Sequence, residues 1–345
     1  MKLFLLILTS VSLSCQIILG QHCDKEASCS EEKKCRHFDI ENFNSNHPSI
    51  VYGEAAGRFG NQFLAYMVFH QLRQQLGMHT YINEECNTYA GYFFTPESLT
   101  MPILSREFCN PQDIISRLEP YDGPFKDLIN DKSLHKGKLI HFYPPGKDDP
   151  LKGGYRPEDH ISTEQEAFQK GYVKHLQTNM EFRDNLKERV NRRLKGIAKK
   201  VLGKKAKEVT YVGVHVRRTD HVAYMKSQHG TGALDAEYYN DAMEYFREEY
   251  DNCLFVVASD DIKWAKKNFD KSFKDLYFSD QNPEFHKDEY GNLQDNDMSK
   301  AAYDFALLTS CNHTIISRGT FSMFIALLTP GEYMTEYGVI VPDPQ

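Results

Sequence analysis

The sequence lacks two features that would have narrowed its function at once, an excess of positive charge and a second long apolar run. Its 41 lysines and arginines are outnumbered by 48 aspartates and glutamates, which gives a formal net charge of −7. No overall positive field therefore favours nucleic acid as a partner. Beyond residue 20, no stretch is long and apolar enough to cross a bilayer. The 345 residues suffice for one large domain or two medium ones.

Residues 1–20 form a hydrophobic leader. Lys2 supplies a positive charge, and the run from Leu3 to Gly20 is apolar apart from short polar interruptions. This pattern is typical of a secretory signal peptide, and its length also permits an uncleaved signal anchor. Either alternative predicts that the rest of the chain lies in the lumen of the secretory pathway.

The cysteines fit an oxidising compartment. Seven follow Cys15, so we expect most of them to pair and at least one to stay free or to bridge to another chain. Cys23, Cys29 and Cys35 lie in a polar stem at residues 21–47. No histidine follows them at zinc-ligand spacing, which favours disulfides over a metal site in the stem.

Four segments are predicted between the stem and residue 205: a strand at 50–52, a glycine-rich turn at 53–60, a helix at 61–76 and a helix at 182–202. Both helices are indicated by apolar residues at helical spacing. The second helix also has a face rich in lysine and arginine. We interpret that face as solvated, with a polyanion or membrane-surface patch as the alternative. The middle, residues 80–180, predicts short elements and long loops.

From residue 206 onward, strand and helix patterns alternate. Hydrophobic runs predict strands at 211–216, 254–258, 314–317 and 338–341, and apolar periodicity predicts helices at 237–250, 262–268, 301–308 and 321–328. Such alternation predicts a parallel sheet with helices on both faces. In sheets of this kind, ligands bind at the carboxyl ends of the strands.

Polar residues follow three of these strands. They are Arg217-Arg218-Thr219-Asp220, Ser259-Asp260-Asp261 and Arg318-Gly319-Thr320-Phe321-Ser322. Guanidinium groups bind phosphate through paired hydrogen bonds, and a helix that starts near Thr320 would favour an anion. Asp260 or Asp261 could accept hydrogen bonds from a nucleoside. Together these loops predict a nucleotide-diphosphate pocket.

Each of these residues also has a structural interpretation. Arg217 and Arg218 could pair with Asp220 or a neighbouring carboxylate, and His215 could be a core histidine. The Asp295-Asn296-Asp297 triplet has the spacing of a metal-binding pair, but no strand precedes it. We interpret it as a solvated loop and expect no metal cofactor.

Four stretches, in order, resemble the motifs of one enzyme family. Gly57-Arg58-Phe59-Gly60-Asn61-Gln62 resembles the first motif of α1,2-fucosyltransferases and protein O-fucosyltransferases. Residues 212–220 resemble the H-x-R-R-x-D motif shared with α1,6-fucosyltransferases. Residues 255–261, with Trp264 and Asn268, resemble the intervening segment of animal galactoside α1,2-fucosyltransferases. Residues 304–316, continued by residues 319–321, resemble their last motif.

The resemblance implies an α/β fold of the GT-B type with two Rossmann-like lobes. A leader at 1–20 and a stem at 21–47 would precede an acceptor-side lobe at 48–205 and a GDP-fucose-binding lobe at 206–345. The implied reaction is inverting, metal-independent transfer of fucose from GDP-fucose to a glycan, most simply to the 2-hydroxyl of terminal β-galactose. The implied location is the Golgi membrane, as a single-pass type II protein with a lumenal catalytic domain. A cleaved, lumenal or secreted form is the alternative.

The matching motifs also imply roles for individual residues. The donor would be bound by His215, Arg217, Arg218, Asp260, Gly319, Thr320, Phe321, Ser322, Arg58 and Gly60. Arg217 would contact the β-phosphate, and Asn61 would lie near the reacting centre. Asp220 would either deprotonate the acceptor hydroxyl or only anchor an arginine.

Two other functions stay open at this stage. A protein O- or core α1,6-fucosyltransferase shares the first motif or the arginine motif. A catalytically inactive lumenal protein that binds GDP-sugar or glycan is the second alternative. It is suggested by Arg318, which stands where the family commonly has isoleucine.

Overall fold

The computed structural model of the chain describes residues 46–53, 59–103, 119–121, 127, 130–142, 174–203, 208–279 and 297–341. The predicted leader, nearly all of the stem, Arg58 and Asp295 lie outside these residues, as do Cys23, Cys29, Cys35 and Cys109. In the described part of the chain, no helix has the length and apolar character needed to cross a membrane.

The first sheet contains four parallel strands. They are β1 (Ile50–Gly53), β2 (His79–Ile82), β3 (Glu119–Tyr121) and β4 (Leu139–Phe142), in the order β2-β1-β4-β3. Ile50 pairs with His79 on one side and with Leu139 on the other. Helix α1 (Phe59–Leu76) follows β1, and α2 (Glu84–Gly91) follows β2. The predicted helix at 61–76 is confirmed and begins two residues earlier.

The second sheet contains six strands in the order β10-β9-β8-β5-β6-β7. The strands are β5 (Thr210–Val216), β6 (Cys253–Ser259), β7 (Leu276–Phe278), β8 (His313–Ile315), β9 (Tyr333–Thr335) and β10 (Gly338–Ile340). All neighbouring pairs are parallel except β9 and β10. The helices between them are α4 (Thr219–His229), α5 (Ala236–Glu249), α6 (Ile262–Asn268), α7 (Asp297–Thr309) and α8 (Thr320–Leu328).

The strand order of the second sheet sets the position of its ligand crevice. The chain winds outward from β5 through β6 to β7, then returns to β8 on the other side of β5. This is the order of doubly wound dinucleotide-binding sheets, whose ligands lie where the winding reverses. The reversal here falls between β5 and β8. The predicted α/β class with two Rossmann-like lobes is confirmed, whereas the residue at which the lobes divide stays a prediction.

Helix α3 (Asp184–Leu202) connects the two sheets. Its buried face includes Leu186, Val190, Leu194 and Ile197, as the apolar spacing predicts. Two residues of its basic face turn inward. The Arg193 guanidinium donates to the Tyr277 hydroxyl at 2.9 and 2.7 Å, and that of Arg189 lies 5.4 Å from the centre of the Tyr303 ring. The solvated interpretation therefore applies only to the exposed remainder of this face.

A cluster of phenylalanines packs between α1 and the helices of the second sheet. The Phe59 ring lies 3.5 Å from that of Phe93, 5.3 Å from that of Phe305 and 6.0 Å from that of Phe321, measured between centroids. One turn further along α1, Phe63 and Phe324 are 4.8 Å apart. These contacts hold the beginning of α1 against the beginning of α8.

Two cysteines behave as core side chains. Cys253 and Cys311 are buried free thiols, which confirms the expectation of at least one free cysteine. Burial raises the pKa of Cys253 to about 11 and raises the pKa of Cys311 further. Both thiols therefore stay protonated and unreactive at neutral pH.

Candidate active site

The three polar loops predicted at the strand ends do meet. The Arg217 amide, after β5, donates to the Ser317 hydroxyl, after β8, at 3.1 Å. The Arg218 amide donates to Asp260 Oδ1, after β6, at 2.8 Å. The loops thus line one rim at the point where the chain reverses its winding.

His215 is the second-last residue of β5 and lies beneath this rim. It is buried, and its Nδ1 lies 2.6 Å from the Ser322 hydroxyl and 3.3 Å from the Ser317 hydroxyl. Burial lowers the pKa of His215 to about 4, so the ring is neutral at physiological pH. Its contacts are those of the core-histidine alternative, in which it positions Ser322 in the first turn of α8. Its predicted contact with a nucleotide stays a prediction.

Arg217 is held by two carboxylates. Its guanidinium donates to Asp260 Oδ2 and to Asp220 Oδ1. The Thr219 hydroxyl also contacts both carboxylates, at 3.1 Å from Asp220 Oδ1. The ion-pair alternative from the sequence is therefore the observed arrangement. It leaves the Arg217 side chain one fifth exposed at the rim, in a fixed orientation.

Arg218 turns away from Arg217. Its guanidinium carbon lies 3.8 Å from the centre of the Trp264 ring, and its Nη1 donates to the Leu234 carbonyl at 3.1 Å. In this arrangement Arg218 fixes the segment between α4 and α5.

Arg318 also binds the segment between α4 and α5. Its Nη1 donates to the Thr231 hydroxyl at 2.9 Å and to the Gly232 carbonyl at 2.8 Å. Its Nε donates to Glu336 Oε1 at 2.7 Å, and its Nη2 pairs with the other carboxylate oxygen. The hydrogen bonds to Glu336 raise the pKa of Arg318. The guanidinium thus connects the turn between β9 and β10 to the segment between α4 and α5. Arg318, which departs from the family pattern, therefore has a structural role.

The first turns of α1 and α8 meet at the rim. The Thr320 hydroxyl donates to Asn61 Oδ1 at 2.9 Å. A Cβ on Gly60 would lie 2.5 Å from Thr320 Oγ1 and 2.7 Å from the Phe321 amide nitrogen, so only glycine permits this approach. Gly319 precedes α8 with φ of 116°, in the region that favours glycine, and no side chain caps the helix.

Two helix N-termini at one point form an anion-binding environment. The first N–H groups of a helix have no partner within it, and its dipole places about half a positive charge at that end. Arg217 is connected to the start of α8 through Ser317, whose hydroxyl accepts from the Arg217 amide and lies 3.0 Å from the Ser322 hydroxyl. An anion bound at this point would face both helix ends.

Sequence reasoning missed several residues of this rim. Ser317 is the second residue after β8 and could have been found from that position. His221 follows Asp220, and its imidazole Cε1 lies 3.9 Å from where a Cβ on Gly319 would be. Glu336 and Leu234 carried no signal, because their roles depend on which way Arg318 and Arg218 turn.

The fold and the site define an α/β protein with a polar cleft at the switch point of a doubly wound sheet. Residues 149–339 match the model of glycosyl transferase family 11. The chain belongs to that family, which confirms both the resemblance seen in the motifs and the expectation of a glycosyltransferase.

Two curated relatives illustrate the similarity. Galactoside alpha-(1,2)-fucosyltransferase 1 of Rattus norvegicus is 29% identical over 293 residues, which is 84% of this chain and 66% of the rat protein. Galactoside alpha-(1,2)-fucosyltransferase 2 of Hylobates lar is 28% identical, over 84% of this chain and 72% of the gibbon protein. The chain thus spans slightly less than two thirds of the rat relative.

Similarity to solved structures is weaker. The fucosyltransferase NodZ from Bradyrhizobium is 14% identical with a TM-score of 0.47, over 86% of this chain and 99% of NodZ. A mutant form of Arabidopsis thaliana FUT1, solved in complex with GDP, is 10% identical with a TM-score of 0.44, over 94% of this chain and 74% of that protein.

Replacing Gly60 by alanine should force α1 and α8 apart. The added Cβ overlaps Thr320 and the Phe321 backbone, so we expect the free energy of unfolding to fall by about 1–3 kcal/mol. Urea denaturation measures this change. Gly196→Ala is the matched control, because a Cβ there meets nothing within 4 Å and should stabilise α3 by roughly 0.5–1 kcal/mol. A Gly60→Ala variant as stable as the wild type would contradict the close contact.

Proposed function

We propose that this chain transfers fucose from GDP-fucose to a glycan, and that the accepting group is the 2-hydroxyl of terminal β-galactose. The observation that carries the proposal is the meeting of the α1 and α8 N-termini after β8, next to the loop that carries Arg217 after β5. Membership of glycosyl transferase family 11 supports the reaction class. The names of the rat and gibbon relatives support fucose and galactoside as donor sugar and acceptor.

The proposed donor position follows from the charges at the rim. The diphosphate lies over Gly319 and the first turn of α8, where backbone N–H groups provide donors. Ser322, whose buried hydroxyl contacts His215, supports this turn from below. Arg217 faces the β-phosphate, and Asp220 and Asp260 hold its guanidinium in place. Asn61, bonded to Thr320, sits across the cleft at the place expected for the departing fucose.

The chemical demand of the reaction is stabilisation of negative charge on the departing diphosphate. Fixed donors aimed at a developing charge are each worth ~3 kcal/mol in the transition state. Arg217 and two helix ends can meet this demand without a divalent cation. We therefore propose an inverting, metal-independent transfer, in which the acceptor hydroxyl attacks in line from the face opposite to GDP.

For Asp220 we propose the anchoring role. Its Oδ1 accepts from both Arg217 and Thr219, which directs this oxygen at the guanidinium and not at an acceptor. Lumenal location, by anchor or by cleaved leader, also remains part of the proposal.

The first test is transfer of radiolabelled fucose from GDP-fucose to phenyl-β-galactoside by protein starting near Gln21. We expect transfer, and we expect it to persist in EDTA. Loss of activity in EDTA that manganese or magnesium restores would contradict the metal-independent mechanism. Transfer to a protein domain or an N-glycan core, but not to the galactoside, would show that the acceptor is one of these and not galactose. Binding of GDP without transfer to any acceptor would indicate an inactive protein.

Arg217→Ala should weaken GDP-fucose binding and lower turnover by orders of magnitude while the protein stays folded. The variant removes the only arginine that the two rim carboxylates direct into the cleft among the described residues. Calorimetric titration with GDP and the rate of transfer measure the two effects. Arg192→Ala, on the exposed face of α3, is the control and should behave as the wild type. Near-normal activity of Arg217→Ala would refute the assigned role.

Asp220→Asn separates the two roles considered for this carboxylate. If Asp220 anchors Arg217, we expect KM for GDP-fucose to rise about tenfold, equivalent to ~1.4 kcal/mol, with a smaller change in kcat. Loss of a general base would instead lower kcat by roughly 10²–10⁴ at unchanged donor affinity. Steady-state kinetics with Asp241→Asn as an exposed control distinguish the outcomes.

A further inference from the structure

We propose that His221 is a further ligand of the donor diphosphate, and that its Nε2 takes up a proton on binding and donates it in a hydrogen bond to a phosphate oxygen. The proposal rests on the donor site proposed above and assigns a residue that none of the motifs includes. It also predicts that donor affinity depends on pH.

The position of His221 places its ring at the start of α8. The residue lies in the first turn of α4, directly after Asp220. Its Cε1 approaches to 3.9 Å from where a Cβ on Gly319 would stand. The imidazole therefore lies over the residue that precedes the uncapped end of α8. A phosphate that accepts from the first amides of α8 would lie beside it.

The second observation is an unsatisfied nitrogen. The Nε2 of His221 is buried and has no hydrogen-bond partner among the described residues. Leaving a buried polar nitrogen without a partner costs about 1–3 kcal/mol, so each such atom in a native protein calls for an explanation, and a ligand is one. At this location the ligand chemistry that fits is an anionic oxygen.

The neighbouring charges make the protonation state responsive to that ligand. Burial is the main cause that lowers the pKa of His221, and Arg217 and Arg318 lower it further, whereas Asp220 and Asp260 raise it. The Tyr224 ring stacks on the imidazole with 6.0 Å between the ring centres. The imidazole is thus neutral in the free protein at neutral pH. An adjacent diphosphate adds negative charge that favours the imidazolium and raises its pKa.

The sign of the pH dependence follows directly. At pH values between the low pKa of His221 in the free protein and its higher pKa in the complex, binding of the donor takes up a proton. Donor affinity should therefore fall as pH rises through the pKa of the complex, by at most about tenfold per pH unit for one proton.

The experiment measures GDP-fucose binding without acceptor from about pH 5.5 to 8.5, by calorimetry in two buffers of different ionisation enthalpy. Both phosphates of this probe are esterified, so the probe itself does not titrate in that range. Trp264, the only tryptophan, lies against Arg218 at the rim and gives an independent fluorescence signal. The variants are His221→Gln, which removes the proton site, and His221→Lys, which supplies a permanent cation. His79→Gln, an exposed histidine of the first sheet, is the matched control.

We expect the wild type and His79→Gln to take up protons and to bind more weakly as pH rises. His221→Gln should bind about tenfold to a hundredfold more weakly near pH 6, the effect of one charge-assisted hydrogen bond, without proton uptake. His221→Lys should restore affinity without pH dependence. Equal proton uptake and affinity in wild type and His221→Gln would overturn this inference alone. Failure of the folded wild type to bind GDP-fucose at any pH would overturn the proposed function as well.

Discussion

The candidate site depends on the packing of Phe59 between the two halves of the molecule. Its contacts with Phe93, Phe305 and Phe321 bring the first turn of α1 to the first turn of α8. Aromatic pairs of this kind contribute about 0.5–1.5 kcal/mol each beyond the burial of their area. Two helix N-termini repel each other, by tenths of a kcal/mol to about 1 kcal/mol at such partly exposed positions. The packing therefore outweighs the repulsion and holds two positive ends together before any ligand arrives.

Glycine makes this arrangement possible on both sides of the contact. Gly60 allows the α1 backbone to reach Thr320, and Gly319 takes a backbone conformation that other residues rarely adopt. A side chain at Gly60 would overlap Thr320 and the Phe321 backbone, and a side chain at Gly319 would strain its backbone. The aromatic cluster and the two glycines thus stabilise the same arrangement, in which the first turns of α1 and α8 lie together.

The arginines divide the electrostatic work at the rim. Arg217 remains at the cleft because Asp220 and Asp260 hold it there. Arg218 and Arg318 instead hydrogen-bond to the segment from Thr231 to Leu234, Arg218 at the Leu234 carbonyl and Arg318 at Thr231 and Gly232. Of the three guanidinium groups that the sequence places near one ligand, two therefore make structural contacts and one remains at the cleft.

Some elements of the fold and the site could be predicted from the sequence, and others could not. The strands β5 and β6 and the helix α1 carry long apolar patterns, so periodicity located them. The strands β7 and β9 have three residues each, too few to show a period, and α4 has no apolar stripe. Motif resemblance placed Asn61 and Thr320 in one site, and these two side chains are in contact in the structure. The roles that the resemblance implies for them and for Arg217 stay predictions. The directions of Arg218 and Arg318 depend on long-range partners such as Trp264 and Glu336, which no local pattern encodes.

A site built from helix ends and one clamped arginine has a further consequence for chemistry. Helix ends carry a fixed partial charge, so they cannot respond to the charge of the ligand. A neutral histidine beside them can, since it gains a proton only when negative charge arrives. His221 would thus add positive charge in step with the departing diphosphate, while the free protein keeps a smaller internal repulsion. This division between fixed and inducible charge would let the positive charge of the site increase with the negative charge of the bound nucleotide.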